Sequence, residues 1–132
     1  YQTYYRIAKS DKQNTPVLLL HGGPGSTHNY FELLDPLSKD RDVISYDQLG
    51  CGNSYIPNHL ELWKLETWMN ELESLIDYLH LDAFHLLGQS WGGMLAIAYA
   101  IEKKPSGLNS LILSSTLPSS KLWESEQRRM IC

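Results

Sequence analysis

Phe84-His85-Leu86-Leu87-Gly88-Gln89-Ser90-Trp91-Gly92-Gly93-Met94-Leu95 is the stretch on which the fold turns. Phe84 to Leu87 is a short apolar run, the pattern of a strand buried on both faces, and Gly88 breaks it. From Trp91 to Lys103, Met94, Leu95, Ile97, Ala98, Ala100 and Ile101 place apolar side chains nearly all round a helix. That pattern predicts a central buried helix, ended by Pro105 and Gly107. Between strand and helix stands Gly88-Gln89-Ser90-Trp91-Gly92, a Gly-x-Ser-x-Gly turn. A bare match is common by chance, but a strand before it and a helix directly after it are the setting of a nucleophile elbow. The turn is too tight for side chains at Gly88 and Gly92. It forces the serine into a strained backbone conformation, with its hydroxyl above the sheet. The positive end of the following helix would then lie beneath a developing oxyanion. Ser90 is therefore the candidate nucleophile. A phosphate-binding turn is the competing reading, but neither G-x-G-x-x-G nor a Walker lysine is present.

Acyl transfer at a serine also needs hydrogen-bond donors for the oxyanion. The backbone N–H of Trp91 directly follows the nucleophile and is the first candidate. The second is expected from the loop after an earlier strand. Val17 to Leu20 reads as such a strand and runs into His21-Gly22-Gly23-Pro24-Gly25. Gly23 is the preferred donor there and Gly22 the alternative, because Pro24 has no N–H. His21, Gly22 and Gly25 form the supporting loop, with His21 expected to hold it in place.

The rest of the chain repeats the same grammar. Tyr1 to Ala8 alternates as a half-buried strand, and Val43 to Tyr46 and Leu108 to Leu113 read as further buried strands. Tyr30 to Leu37 carries helical spacing. Leu65, Trp68, Leu72, Leu75, Ile76 and Leu79 define an amphipathic helix running to about His80. Lys121 to Cys132 begins another helix. The expected fold class is α/β: a mostly parallel sheet of five strands with helices on both faces, Tyr1–Ala8 antiparallel at one side. The expected division is a core over residues 1–118 and the start of a cap or helical extension over 119–132.

Composition narrows the partners. Of 132 residues, 42% are hydrophobic and 20% charged, which suits one packed domain. The net charge of −4 comes without a basic patch, so nucleic acid is not an expected partner. No stretch approaches the roughly 20 apolar residues of a membrane span. The N-terminus lacks the pattern of a signal peptide, and a cytoplasmic location is expected. Cys51 and Cys132 show no metal-ligand spacing and read as free thiols; no metal and no cofactor are expected.

The histidines and carboxylates set a limit. His21, His28, His59, His80 and His85 all precede Ser90, and beyond Trp91 there is no His and no Asp. In this kind of fold the acid and the base follow the serine. Asp47 is therefore read as bonding loop amides, and His85 as a satisfied core residue. Cys51 has no adjacent base to make it a nucleophile.

Three motifs converge: His21-Gly22-Gly23-Pro24-Gly25, Asp47-Gln48-Leu49-Gly50-Cys51-Gly52-Asn53-Ser54 and Gly88-Gln89-Ser90-Trp91-Gly92-Gly93. In order and spacing they resemble the prolyl aminopeptidase (proline iminopeptidase) family of α/β-hydrolase serine peptidases. The resemblance runs from about Tyr4 to Lys121. It implies removal of an N-terminal residue, often proline, from a peptide with a free N-terminus, through an acyl-enzyme on Ser90 and without a metal. It also implies a longer chain, with a helical cap, then the last strands bearing the acid and histidine. The isolated chain is expected to be inactive, and its apolar strand Leu108–Leu113 to present an edge that pairs with the missing C-terminal part or with a copy of itself. A related esterase or amidase, or a non-catalytic fragment, are the competing expectations.

Overall fold

The computed structural model describes residues 1–131. The expectation for Cys132 lies outside the described residues. Five strands form one sheet in the order β1-β3-β2-β4-β5: β1 Tyr5–Ala8, β2 Val17–Leu20, β3 Val43–Tyr46, β4 Phe84–Gln89 and β5 Leu108–Ser114. β1 is antiparallel to β3, and the other neighbours are parallel. Because β2, β3 and β4 run the same way, the three loops that follow them emerge at one end of the sheet.

The period-2 alternation of each strand divides the core in two. Leu18, Leu20, Ile44, Tyr46 and Leu86 point to one face, where α1 (Leu65–Tyr78) and α2 (Trp91–Lys103) cover them. Trp68, Met69, Leu72, Leu75 and Ile76 form the buried stripe of α1, each such side chain worth about 2 kcal/mol relative to exposure. Val17, Leu19 and Val43 point the other way and meet Phe31 of a 3-10 helix over Asn29–Lys39. That helix replaces the ordinary one expected over Tyr30–Leu37. Pro36 sits inside it, where it can neither donate nor accommodate the preceding carbonyl of an α-helix.

Three further sequence expectations change. β1 starts at Tyr5 and not at Tyr1. Gly88 does not break its strand: β4 continues through Gln89, with Gly88 paired to Leu20 and Leu113. α2 is not buried all round. Leu95, Ala96 and Tyr99 are buried, while Ile101 is 65% exposed. Met94, Ile97 and Ala98 line a cleft of about 320 Å³ with Leu65, Trp91, Leu117 and Pro118. β5 lies at the edge of the sheet, where Leu108–Leu113 was expected to present one, with Ile112 and Leu113 each 45% exposed. The final helix, α3, spans Ser120–Ile131 with no buried residue, and Glu124–Arg128 and Glu126–Arg129 pair along its surface. Among the described residues, no helix is long and apolar enough to cross a membrane.

Candidate active site

Ser90 stands between β4 and α2 at φ 54° and ψ −118°. That conformation is strained for any residue with a Cβ. The surroundings over-determine it. The Ser90 N–H donates to the Ser114 carbonyl at 2.9 Å. The Ser90 carbonyl accepts from the Gly93 N–H at 3.0 Å and from the Thr116 hydroxyl at 2.6 Å. Gly92 makes the turn possible: a Cβ there would overlap the backbone carbonyls of Leu20 and His21, so strand β2 and the first turn of α2 can meet only at a glycine. Gly88 is similarly pressed against the backbone of Gly92 and Gly93.

The loop after β2 lies directly over this elbow. A Cβ on Gly22 would stand 3.2 Å from the Cβ of Ser90. The Gly22 N–H is already engaged, donating to the Tyr30 hydroxyl at 2.7 Å. Gly23 has φ +122°, a conformation open to glycine, and is exposed. None of the hydrogen bonds among the described residues uses its N–H. Trp91 opens α2, where a helix leaves its first N–H groups without intrahelical partners. Of the two candidates in the loop, Gly23 is thus the one with a donor to offer. Gly25 is also exposed, at φ +109°, with open space around it.

His21 is fully buried and both ring nitrogens are engaged. Nδ1 donates to the Gly22 carbonyl at 2.8 Å, and Nε2 accepts from the Gln48 N–H at 3.0 Å. This network assigns the neutral tautomer, and burial lowers the tendency of the ring to protonate, against the pull of the Gly22 carbonyl and Asp47. His21 is a brace between the loops after β2 and β3. Gln48 extends the brace: its amide donates to the His21 carbonyl at 2.9 Å and accepts from the Trp91 indole N–H at 3.0 Å.

Asp47 also serves the framework. Its carboxylate accepts from the His28 N–H at 2.8 Å, the His28 ring at 2.7 Å and the Asn53 N–H at 2.9 Å. Burial pushes this carboxyl up, but those donors outweigh it and hold it below the usual carboxylate range. His85 lies half-buried on the sheet, bonded to the Ser110 hydroxyl at 2.7 Å. Burial raises the buried, free thiol of Cys51. No hydrogen bond among the described residues joins the Ser90 hydroxyl to a histidine, and no cluster of His, Cys, Asp and Glu among them could hold a metal.

Sequence reading missed four contributors. Tyr30 and Gln48 bridge loops, Thr116 clamps the elbow, and Glu71 of α1 receives the Leu49 N–H on both carboxylate oxygens at 3.0 and 2.8 Å. Burial pushes Glu71 up to about 7, against that N–H and Thr3. None of the four carries a local signal, since their partners are distant in sequence. Beside the oxyanion loop lies a cleft of about 270 Å³ walled by Pro24, Gly25, Leu49, Gly50, Trp63 and Trp68. Trp63 stacks on Trp68 with ring centroids 5.8 Å apart.

A strained serine between a parallel strand and a helix, under a glycine loop from a neighbouring strand, is matched by a family model described as the alpha/beta hydrolase fold, over residues 15–131. The chain belongs to this family. Its resemblance to proline iminopeptidases is borne out. The proline iminopeptidase of Clostridioides difficile strain 630 is 59% identical over 133 residues, covering 99% of this chain and 45% of the relative. That of Lactobacillus acidophilus is 60% identical over 134 residues, covering 99% and 46%. The crystal structure of a proline iminopeptidase from Mycobacterium smegmatis superposes with a TM-score of 0.88 at 34% identity, over 96% of this chain and 44% of that one. The chain therefore spans less than half the length of these relatives.

Proposed function

We propose that this chain is part of a serine aminopeptidase of the proline iminopeptidase kind, which releases the N-terminal residue, often proline, of a peptide. Ser90 is the nucleophile, and its hydroxyl oxygen attacks the carbonyl of that first residue. The N–H groups of Gly23 and Trp91 receive the oxyanion, and the N-terminus of α2 favours the negative charge. Collapse of the tetrahedral intermediate expels the shortened peptide and leaves the acyl-enzyme, which water hydrolyses. The base that takes the Ser90 proton belongs to the remainder of the protein in this reading, because both nitrogens of His21 hold loops. The supporting observation is the backbone of Ser90, at φ 54° beneath Gly22.

In the same reading, residues 1–118 contribute to the hydrolase core and 119–132 open a cap. The remainder of the protein, or failing that a copy of this chain, packs along the β5 edge. The cleft beside Gly25 and Trp63 is shaped for an apolar residue. A cytoplasmic location accompanies the proposal, with the buried thiol of Cys51 suited to a reducing compartment.

The test uses the protein that carries this chain at its native length. It should hydrolyse proline p-nitroanilide faster than a short-chain ester, and a fluorophosphonate should label Ser90. Ser90→Ala should lower kcat by about 10⁴-fold or more. A wild type that prefers the ester would replace the peptidase with an esterase, and one that neither hydrolyses nor labels would remove the serine-hydrolase reading.

A further inference from the structure

We propose that Tyr30 is a positioning residue of the oxyanion site: its hydroxyl, held between the Gly22 N–H and the Gln89 side chain, ties the His21–Gly22 peptide to the elbow and, together with His21 Nδ1 on the Gly22 carbonyl, keeps the Gly23 N–H open toward Ser90. The inference rests on reading Ser90 as the nucleophile, and it concerns a residue that neither motif contains.

A phenol has one proton to give and lone pairs to receive. Tyr30 uses both functions. It accepts from the Gly22 N–H at 2.7 Å and donates to Gln89 Oε1 at 2.8 Å. Gln89 is the residue directly before the nucleophile, and Gly22 directly precedes the candidate donor Gly23. Tyr30, 59 residues before Gln89 in the chain, thus links the loop that carries Gly23 to the elbow that carries Ser90. Burial raises the Tyr30 hydroxyl, against the Gly22 N–H, so the proton given to Gln89 is retained at neutral pH. The ring itself is anchored. It packs on Phe31 with centroids 4.6 Å apart, and Phe31 is 5% exposed in the small core under the 3-10 helix.

The bridge matters because it holds the N–H side of Gly22, while His21 Nδ1 holds the carbonyl side at 2.8 Å. Gly22 and Gly23 have no side chains to limit rotation, and Gly23 sits at φ +122°. With its hydroxyl removed, Tyr30 would leave the Gly22 N–H without an acceptor. The loop could then turn that N–H, and not the Gly23 N–H, toward the reaction centre or toward water. Losing an oxyanion donor outright costs about 100- to 1,000-fold in kcat; losing only its alignment is expected to cost less, about 10- to 100-fold. The loss belongs to kcat because the interaction strengthens only as the oxyanion forms.

The experiment is Tyr30→Phe in the native-length protein, with proline p-nitroanilide as substrate. The expected result is kcat lower by about 10- to 100-fold, KM within about 2-fold, and a slower fluorophosphonate labelling of Ser90 in proportion. Gln89→Met removes the acceptor of the Tyr30 proton and should lower kcat in the same sense. A folded variant of either kind with unchanged kcat, against an active wild type, overturns the inference and leaves the hydrolase reading standing. An inert wild type with Ser90 unlabelled removes both. The wild type alone gives a check that needs no variant: the Gly22 amide should exchange its hydrogen more slowly than the Gly23 amide, and equal exchange overturns the proposal.

Discussion

Two glycine-bearing loops leave the same end of the sheet and use their polar groups in opposite ways. The loop after β3, Asp47 to Ser54, turns them inward. The Asp47 N–H donates to the Tyr4 carbonyl, the Cys51 N–H to Gln48, the Gly50 N–H to Ser54, and the Leu49 N–H to Glu71. The Ser54 hydroxyl donates to the Asp47 carbonyl and accepts from the Tyr4 N–H. The elbow after β4 and the loop above it leave the Ser90 hydroxyl and the Gly23 N–H open. Both regions look alike as sequence, with small residues after an apolar strand. The difference teaches that glycine density marks a tight turn, while a candidate site is marked by polar groups that the turn leaves unspent. A framework loop loses stability when it is altered, and a working loop should not.

The largest effect expected from that contrast is at Asp47. Asp47→Ala leaves two N–H groups and the His28 ring without an acceptor in a fully buried place, at a cost of about 4 kcal/mol in urea unfolding of the native-length protein. The pH dependence has a definite sign. The folded carboxyl lies below its unfolded value of 3.8, so its stabilisation is present above that pH and is lost as pH falls through the folded value. The variant should lose that acid limb. A loss near zero would put the β3 loop in the same class as the elbow.

Glu71 is the next in size and opposite in sign. Its carboxyl rises from 4.5 unfolded to about 7 folded, so the folded state holds the proton longer and stability falls as pH rises from 4.5 to 7. Glu71→Gln keeps an oxygen for the Leu49 N–H and removes that ionisation. It should be more stable than the wild type by about 3 kcal/mol at pH 8 and equal to it near pH 4. Parallel stability curves for the two proteins would contradict the role of burial here.

The smallest effect is at the elbow itself. Ser90→Gly relieves the positive φ of 54° and removes a hydroxyl with no hydrogen bond among the described residues. It should raise stability by about 1 kcal/mol while abolishing hydrolysis. A loss of stability would place Ser90 in the framework and blur the two loops together.

Much of this was legible beforehand, for local reasons. The strand before Ser90 and the helix after it announce themselves through apolar spacing, and the elbow through Gly88 and Gly92. The sequence prefers Gly23 to Gly22 with no contact to choose between them; in the structure Tyr30 occupies the Gly22 N–H. The misses are equally physical. α2 reads as buried nearly all round because it is apolar, yet burial belongs to what packs on each side of a helix, and Ile101 is 65% exposed. Tyr30–Leu37 reads as an ordinary helix because period alone does not weigh Pro36.

By itself the sequence determined the order of strands and helices, the elbow around Ser90 and the glycine loop that faces it. Those are properties of adjacent residues: strand and helix periods, and the φ range that only glycine enters freely. Tertiary structure alone decided that His21 braces its loop against the Gln48 N–H, that Glu71 reaches Leu49 across 22 residues, that Gln48 joins Trp91 across 43, and that Tyr30 meets Gln89 across 59. A hydrogen bond fixes a donor and an acceptor to within a few tenths of an ångström. No local pattern sets that distance; it follows from how the sheet and its helices pack.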